Sequence, residues 1–143
     1  MHKVFGEKNI NEHYRDRVGA YLIPYQDGKI GIVKTSKGYF LIGGGMDEGE
    51  SLTDCLKREC LEETGYSCSI EGEVCTGEKY MNHPTIGYFH PIQTFYYGRL
   101  TKAVCAPIER DHTLHWVERD KACGMLLSEL QSWALGQFLD NVK

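Results

Sequence analysis

GGMDEGESLTDCLKRECLEETGY, residues 44–66, holds seven carboxylates in 23 positions. Asp47, Glu48, Glu50, Asp54, Glu59, Glu62 and Glu63 face only two bases, Lys57 and Arg58. The whole chain carries a net charge of −4, so its excess negative charge is all collected here; the remainder has 13 acids against 14 bases. Ser51 has the chemistry of a helix N-cap, with Asp54 three residues on as a capping-box partner weaker than Glu or Gln. Gly65 is a natural C-terminal stop. Together they predict a helix over Leu52–Thr64.

At about 100° per residue, Leu52, Cys55, Leu56 and Cys60 form one apolar stripe on that helix. Glu59 and Glu63 continue the stripe and Glu62 sits beside it, so the three acids are neighbours on one face. A solvated acidic face is the usual reading of such a run, and two physical arguments weigh against it here. Like charges at this spacing repel by a few tenths of a kcal/mol. The acids also occupy the negative end of the helix dipole, where an anion is disfavoured by about 0.3–1 kcal/mol. A cation on this face resolves both conflicts. Carboxylate oxygens without His or Cys select a hard ion, so Mg²⁺ or Mn²⁺ is expected.

Upstream, Val18–Tyr25 reads as a strand and Asp27-Gly28 as a hairpin turn leading to a second strand over Lys29–Thr35. Ser36-Lys37-Gly38 is a further turn before a short strand over Tyr39–Ile42. Three glycines follow, Gly43 to Gly45, and then a polar loop to Ser51. Downstream, strands are expected over Cys68–Cys75, Ile92–Leu100 and Thr113–Glu118. A closing helix is expected over Leu126–Val142, with Leu127, Leu130, Ala134 and Phe138 on one side. This order suggests a sheet with helices on its faces, in one domain spanning residues 1–143.

Composition excludes several classes. No apolar run approaches the roughly 18 residues of a membrane helix, and the first residues do not resemble a secretion signal. The acidic balance argues against a nucleic-acid polymer as partner. Six cysteines, without a C-x-x-C pair, read as reduced and mostly buried thiols in a cytoplasmic protein. The six histidines form no ligand pair at helical spacing.

The spacing Gly44, five residues, Glu50, seven residues, Arg58-Glu59-Cys60, one residue, Glu62-Glu63, one residue, Gly65-Tyr66 resembles the signature box of the Nudix (MutT-like) hydrolases at each of its nine specified positions. Cys60 and Tyr66 occupy loosely apolar slots where aliphatic residues are more usual. Tyr39 and Ile42 stand where many relatives have Trp and Pro. These departures touch packing and turn shape, not the acids. The resemblance implies an α/β/α sandwich around a mixed β-sheet. It also implies divalent-metal-dependent hydrolysis of a nucleoside diphosphate linked to another group. It carries Glu59, Glu62 and Glu63 over as metal ligands, with the Gly44 carbonyl as a further candidate. Arg58 and Glu50 become the ion pair holding the loop against the helix. Glu59 is the candidate general base within the box, and Glu78, Glu109 and Glu118 are candidates outside it.

A nucleoside triphosphate is the first substrate expected, with ADP-ribose, a nucleotide sugar or a dinucleoside polyphosphate as alternatives. The downstream positions that mark some of those specificities hold Met81, Asn82, His83 and Pro84, which decide nothing. Tyr80, Tyr96 and Arg17 are candidate substrate contacts. Tyr96 and Tyr97 are consecutive in a strand and face opposite sides, so only one of them could line a pocket. The protein is expected to act on a small nucleotide-type molecule as a monomer or homodimer, without a membrane or nucleic-acid partner. A module that senses such a ligand without turning it over is the competing class, and intact box residues argue against it.

Overall fold

The structure is a computed structural model that describes residues 1–142. Its elements run β1 (His2–Phe5), β2 (Arg15–Gln26), β3 (Lys29–Thr35), β4 (Gly38–Phe40), β5 (Ile42–Gly45), α1 (Leu52–Thr64), β6 (Tyr66–Lys79), β7 (Met81–His83), β8 (Gly87–Ala103), β9 (Thr113–Glu118), α2 (Arg119–Met125) and α3 (Glu129–Asp140). The nine strands connect in the order β1-β6-β8-β2-β3-β4, while β5 pairs with β2, β7 with β8 and β9 with β3. The sheet is mixed. β1 runs parallel to β6 and β2 parallel to β8, and the other ladders are antiparallel.

Strand alternation divides the core in two. Ala20 and Leu22 face α1 and pack with Val33, Ile42, Cys55, Leu56 and Cys60. Ile23 and Phe95 face the other way and pack with Leu126, Leu130, Ala134, Leu135 and Phe138. Helices on both faces make the expected α/β/α arrangement. Burying each large aliphatic or aromatic side chain contributes about 1.5–3 kcal/mol, so these two layers hold α1 and α3 in place.

The box helix begins and ends as the sequence indicates. Ser51 Oγ accepts from the Asp54 N–H at 3.1 Å, and Gly65 closes the helix at φ 77° with its N–H on the Leu61 carbonyl. Elsewhere the sequence reading needs correction. The short strand expected over Tyr39–Ile42 is split, and Gly43–Gly45, assigned to no element by the sequence, join Ile42 in strand β5, laid antiparallel against Gly19–Leu22. The closing helix starts at Glu129, not Leu126, and the separate helix α2 precedes it. Ser128 caps α3, and the Leu127 N–H is taken by the Tyr39 carbonyl at 3.1 Å. Leu127 is therefore 62% exposed and outside the apolar face it was expected to share. β6 and β8 are longer than expected, at 14 and 17 residues, and β1 and β7 are additional. Of the cysteines, Cys55, Cys60 and Cys75 are buried, Cys68 and Cys123 half-buried and Cys105 exposed, all of them free thiols.

Candidate active site

Arg58 organises the box. Its Nε and Nη2 grip Glu50 in a fork at 2.7 and 3.0 Å, and Nη2 also donates to the Gly45 carbonyl at 3.1 Å. Nη1 reaches Glu59 at 2.8 Å and Glu62 at 3.1 Å. Glu50 in turn accepts from the Asp47 N–H at 2.8 Å, so one guanidinium ties the 45–50 loop to the helix. The planar fork of Arg makes this geometry, which Lys cannot copy. Arg58 holds the Glu50 carboxyl below its ordinary range, with the Asp47 N–H adding to the effect.

The other acids sit in the opposite condition. Glu63 is 7% exposed, and burial pushes its carboxyl up to about 8, with Glu59, Glu109 and Glu62 adding repulsion. The Gly43 N–H, donated to Glu63 Oε2 at 2.8 Å, only partly offsets this. Glu59 is also raised, first by burial and then by Glu62 and Glu109, against the pull of Arg58. Gly44 permits Glu59 to come this close, because a side chain at residue 44 would begin 2.8 Å from the Glu59 carboxyl carbon. The Gly44 carbonyl takes a weak bond from the Cys55 thiol at 3.4 Å.

Glu109 joins the cluster from a distant part of the chain. The loop between β8 and β9 docks on the end of α1, where the Glu62 carbonyl accepts from the N–H groups of Ile108 and Glu109 at 2.9 and 3.0 Å. The same loop sets His112 Nε2 3.5 Å from Glu63 Oε1. Glu78 and Glu118 are engaged elsewhere. Glu78 binds His90 at 2.9 Å and His2 at 2.7 Å, and Glu118 faces Lys29 at 3.9 Å. His112 carries no sequence signal of its role, since its place follows from the loop's docking.

Beside β5 lies a cleft of about 280 Å³ lined by Arg17, Gly19, Tyr21, Gly44, Gly45, Phe89, Pro91 and Gln93. Roomier hollows of about 400 and 430 Å³ lie around Phe138 and around Trp116, away from the box. Arg17 belongs to the cleft and lies over Gly45, where there is no side chain to displace it. Tyr80 and Tyr96 do not reach it. Tyr80 stacks on His90 at 4.1 Å and meets Tyr14 edge-on at 5.1 Å, in a different hollow with Lys8 and His13. Tyr96 packs on the α1 side of the core, opposite Tyr97, which stacks on Phe138. Tyr21 was missed although alternation places it with Arg17 and Gly19; its hydroxyl is pushed up by burial and by Glu63 and Glu59.

Among the described residues, no three His, Cys, Asp or Glu side chains surround a common point ready for a metal. Arg58 Nη1 stands between Glu59 and Glu62, and Glu63 is turned to Gly43. The donor set nevertheless fits a hard divalent ion. It is all oxygen, it is crowded with like charge, and burial pushes one member, Glu63, towards its neutral form. Glu59 and Glu62 each give Arg58 a single oxygen, so each keeps a second one for such an ion.

The NUDIX domain family model matches residues 13–139. The fold is shared with a NUDIX hydrolase from Nitrosomonas europaea, at a TM-score of 0.75 and 18% identity over 89% of this chain and 90% of that one. A MutT protein from Methanosarcina mazei Go1 matches at 0.71 and 20% identity, over 92% and 99%. The NUDIX domain of Shewanella oneidensis NrtR, solved with ADP ribose, matches at 0.68 and 21% identity, over 92% and 90%. No curated protein matches the sequence. The chain belongs to the Nudix family, whose hydrolases act on pyrophosphate bonds in nucleoside-diphosphate-linked substrates and generally use divalent metals. Among the described residues no helix is long and apolar enough to cross a membrane.

Proposed function

We propose that this protein cleaves the pyrophosphate bridge of a small nucleotide, with nucleoside triphosphates as the first substrate class, using Mg²⁺ or Mn²⁺ held by Glu59, Glu62 and Glu63. The Gly44 carbonyl is the further ligand in this reading. The observation that carries it is the acid cluster at the end of α1, where buried Glu63 stands with Glu59, Glu62 and Glu109, and burial and their repulsion push its carboxyl up. Like-charged acids gathered around a buried carboxyl are a mark of a functional site. The bound cation would supply positive charge to the pyrophosphate oxygens and make water more acidic.

The residues then have distinct tasks. Arg58 and Glu50 keep the loop and the helix in register, so that Glu59 and Glu62 present oxygens on one face. Arg17, over Gly45, is placed to contact a phosphate. Glu109 and Glu59 are the groups of the acid cluster able to take the proton from attacking water; Glu78 and Glu118 are engaged elsewhere and are set aside. Most of the work is positioning and charge stabilisation, as phosphoryl chemistry requires. The six free thiols support a reducing, cytoplasmic setting.

The test is product release with Mg²⁺ across nucleoside triphosphates, ADP-ribose, nucleotide sugars and dinucleoside polyphosphates, with Glu63→Gln as control. The ADP ribose bound by the Shewanella domain supports its place in that panel. A clear preference that disappears in the variant supports the reading. Silence across the panel sinks it and favours a ligand-sensing module.

A further inference from the structure

Among the described residues two buried side-chain polar atoms have no hydrogen-bond partner, Gln93 Oε1 and His112 Nδ1. Both border the site: His112 faces Glu63, and Gln93 lines the cleft with Arg17, Phe89 and Pro91. Buried polar groups are nearly always paired in folded proteins, so an orphan beside a functional cleft calls for a reason. For Gln93 the chemistry narrows the missing partner. An amide oxygen is an acceptor and needs an N–H or O–H donor. Ionised phosphates offer only acceptors, so the partner is not the pyrophosphate.

We infer that Gln93 reads the edge of the substrate's nucleobase, and that this base is adenine-like, with an amine beside a ring nitrogen. The inference rests on the cleft being the nucleotide's place, as proposed above. Register supports the distance. Gln93 is paired with Gly19 on β2, and Gly19 with Gly45 on β5. Gln93 is therefore two strand spacings, about 10 Å, from the edge where the acids lie. That is about the reach from a nucleotide's first phosphate to its base edge. Phe89 and Pro91, on the same face of β8 as Gln93, supply an apolar platform for the base.

The amine follows from the amide's two ends. A side-chain amide carries an acceptor and a donor side by side, its oxygen and its NH₂. An adenine edge answers both, with its amine for the oxygen and a ring nitrogen for the NH₂, the pairing that Gln makes with adenine in nucleic-acid complexes.

The experiment compares adenosine and purine riboside, which differ only by the amine. Their 5′-monophosphates are titrated by calorimetry into the wild-type protein and into Gln93→Leu and Gln93→Met, each first checked by thermal melting. Two substitutions are used so that a misfolded one does not decide the question. Their 5′-triphosphates are assayed for hydrolysis with Mg²⁺ in parallel. We expect the wild type to bind the adenosine compound about tenfold more tightly, and the folded variants to bind both alike. The matching change in turnover should fall on KM, with kcat nearly unchanged. Equal binding in the wild type, a preference that survives in the variants, or no binding of either compound would overturn the assignment. Turnover without a binding preference refutes Gln93 alone. A binding preference lost in the variants, without turnover, supports Gln93 and refutes the hydrolase reading instead.

Discussion

Replacing Glu63 by Gln should stabilise the metal-free protein, and the gain should depend on pH. The Glu63 carboxyl titrates near 8 in the fold instead of 4.5. Between those limits the folded state binds a proton that the unfolded chain releases. Stability from this group is thus fully present below about pH 4.5 and is lost as pH rises towards 8. At about 1.4 kcal/mol per pH unit, the displacement sets a ceiling near 5 kcal/mol. Relaxation around a charged carboxylate reduces the measurable effect to about 2–3 kcal/mol, or about 5–10 °C in melting temperature for a domain of this size. The Gln side chain keeps an oxygen for the Gly43 N–H, loses the charge, and turns an NH₂ towards His112 where Glu63 has Oε1. Glu50 and Glu78 are lowered and act with the opposite sign, but they are common to both proteins and cancel in the difference. The assay is thermal unfolding of both proteins with chelator at pH 5, 6, 7 and 8. The two curves should nearly coincide at pH 5 and separate steadily up to pH 8. A constant offset, or a variant less stable than the wild type at pH 8, would refute the reasoning.

Other substitutions separate the roles further. Arg58→Lys keeps the charge but loses the fork on Glu50 and the bonds to Gly45, Glu59 and Glu62; turnover should fall about 10²-fold or more and the melting temperature should drop, and wild-type values in both would remove Arg58 from its organising place. Gly44→Ala places a methyl group against Glu59, so turnover should fall about 10–100-fold with little change in stability. Glu109→Gln should lower kcat by about 10²–10⁴-fold if it takes the proton, whereas Glu78→Gln and Glu118→Gln should leave kcat near wild type. A small effect at Glu109 would leave Glu59 with that task.

The box was readable because its signals are local. Ser51, Gly65 and the 3.6-residue spacing of Leu52, Cys55, Leu56 and Cys60 sit within one helix, and the misplaced acids stand out against that pattern. β5 was hidden because three consecutive glycines carry no side-chain pattern; they form a strand because Tyr21, Arg17 and Glu59 occupy the space their side chains would need. The start of α3 was misjudged because Leu127 continues the apolar period, yet its N–H is committed to Tyr39. Glu109 and His112 reach the acids only through the docking of a distant loop on Glu62 and Gly65, and no short-range pattern encodes that. Tyr80 and Tyr96 show the converse, since aromatic character alone does not separate a stacking platform from a side chain packed among its own neighbours.

The most direct measurement is the metal dependence of hydrolysis in ¹⁸O-labelled water, run on the best substrate of the panel with wild type and Glu63→Gln. We expect wild-type turnover to stop with chelator and return with Mg²⁺, with the label in a phosphoryl product of pyrophosphate cleavage, and Glu63→Gln to stay inactive at any Mg²⁺ concentration. Turnover that persists in chelator, or a Glu63→Gln protein as active as the wild type, would contradict the assignment of the α1 acids as the metal-binding face.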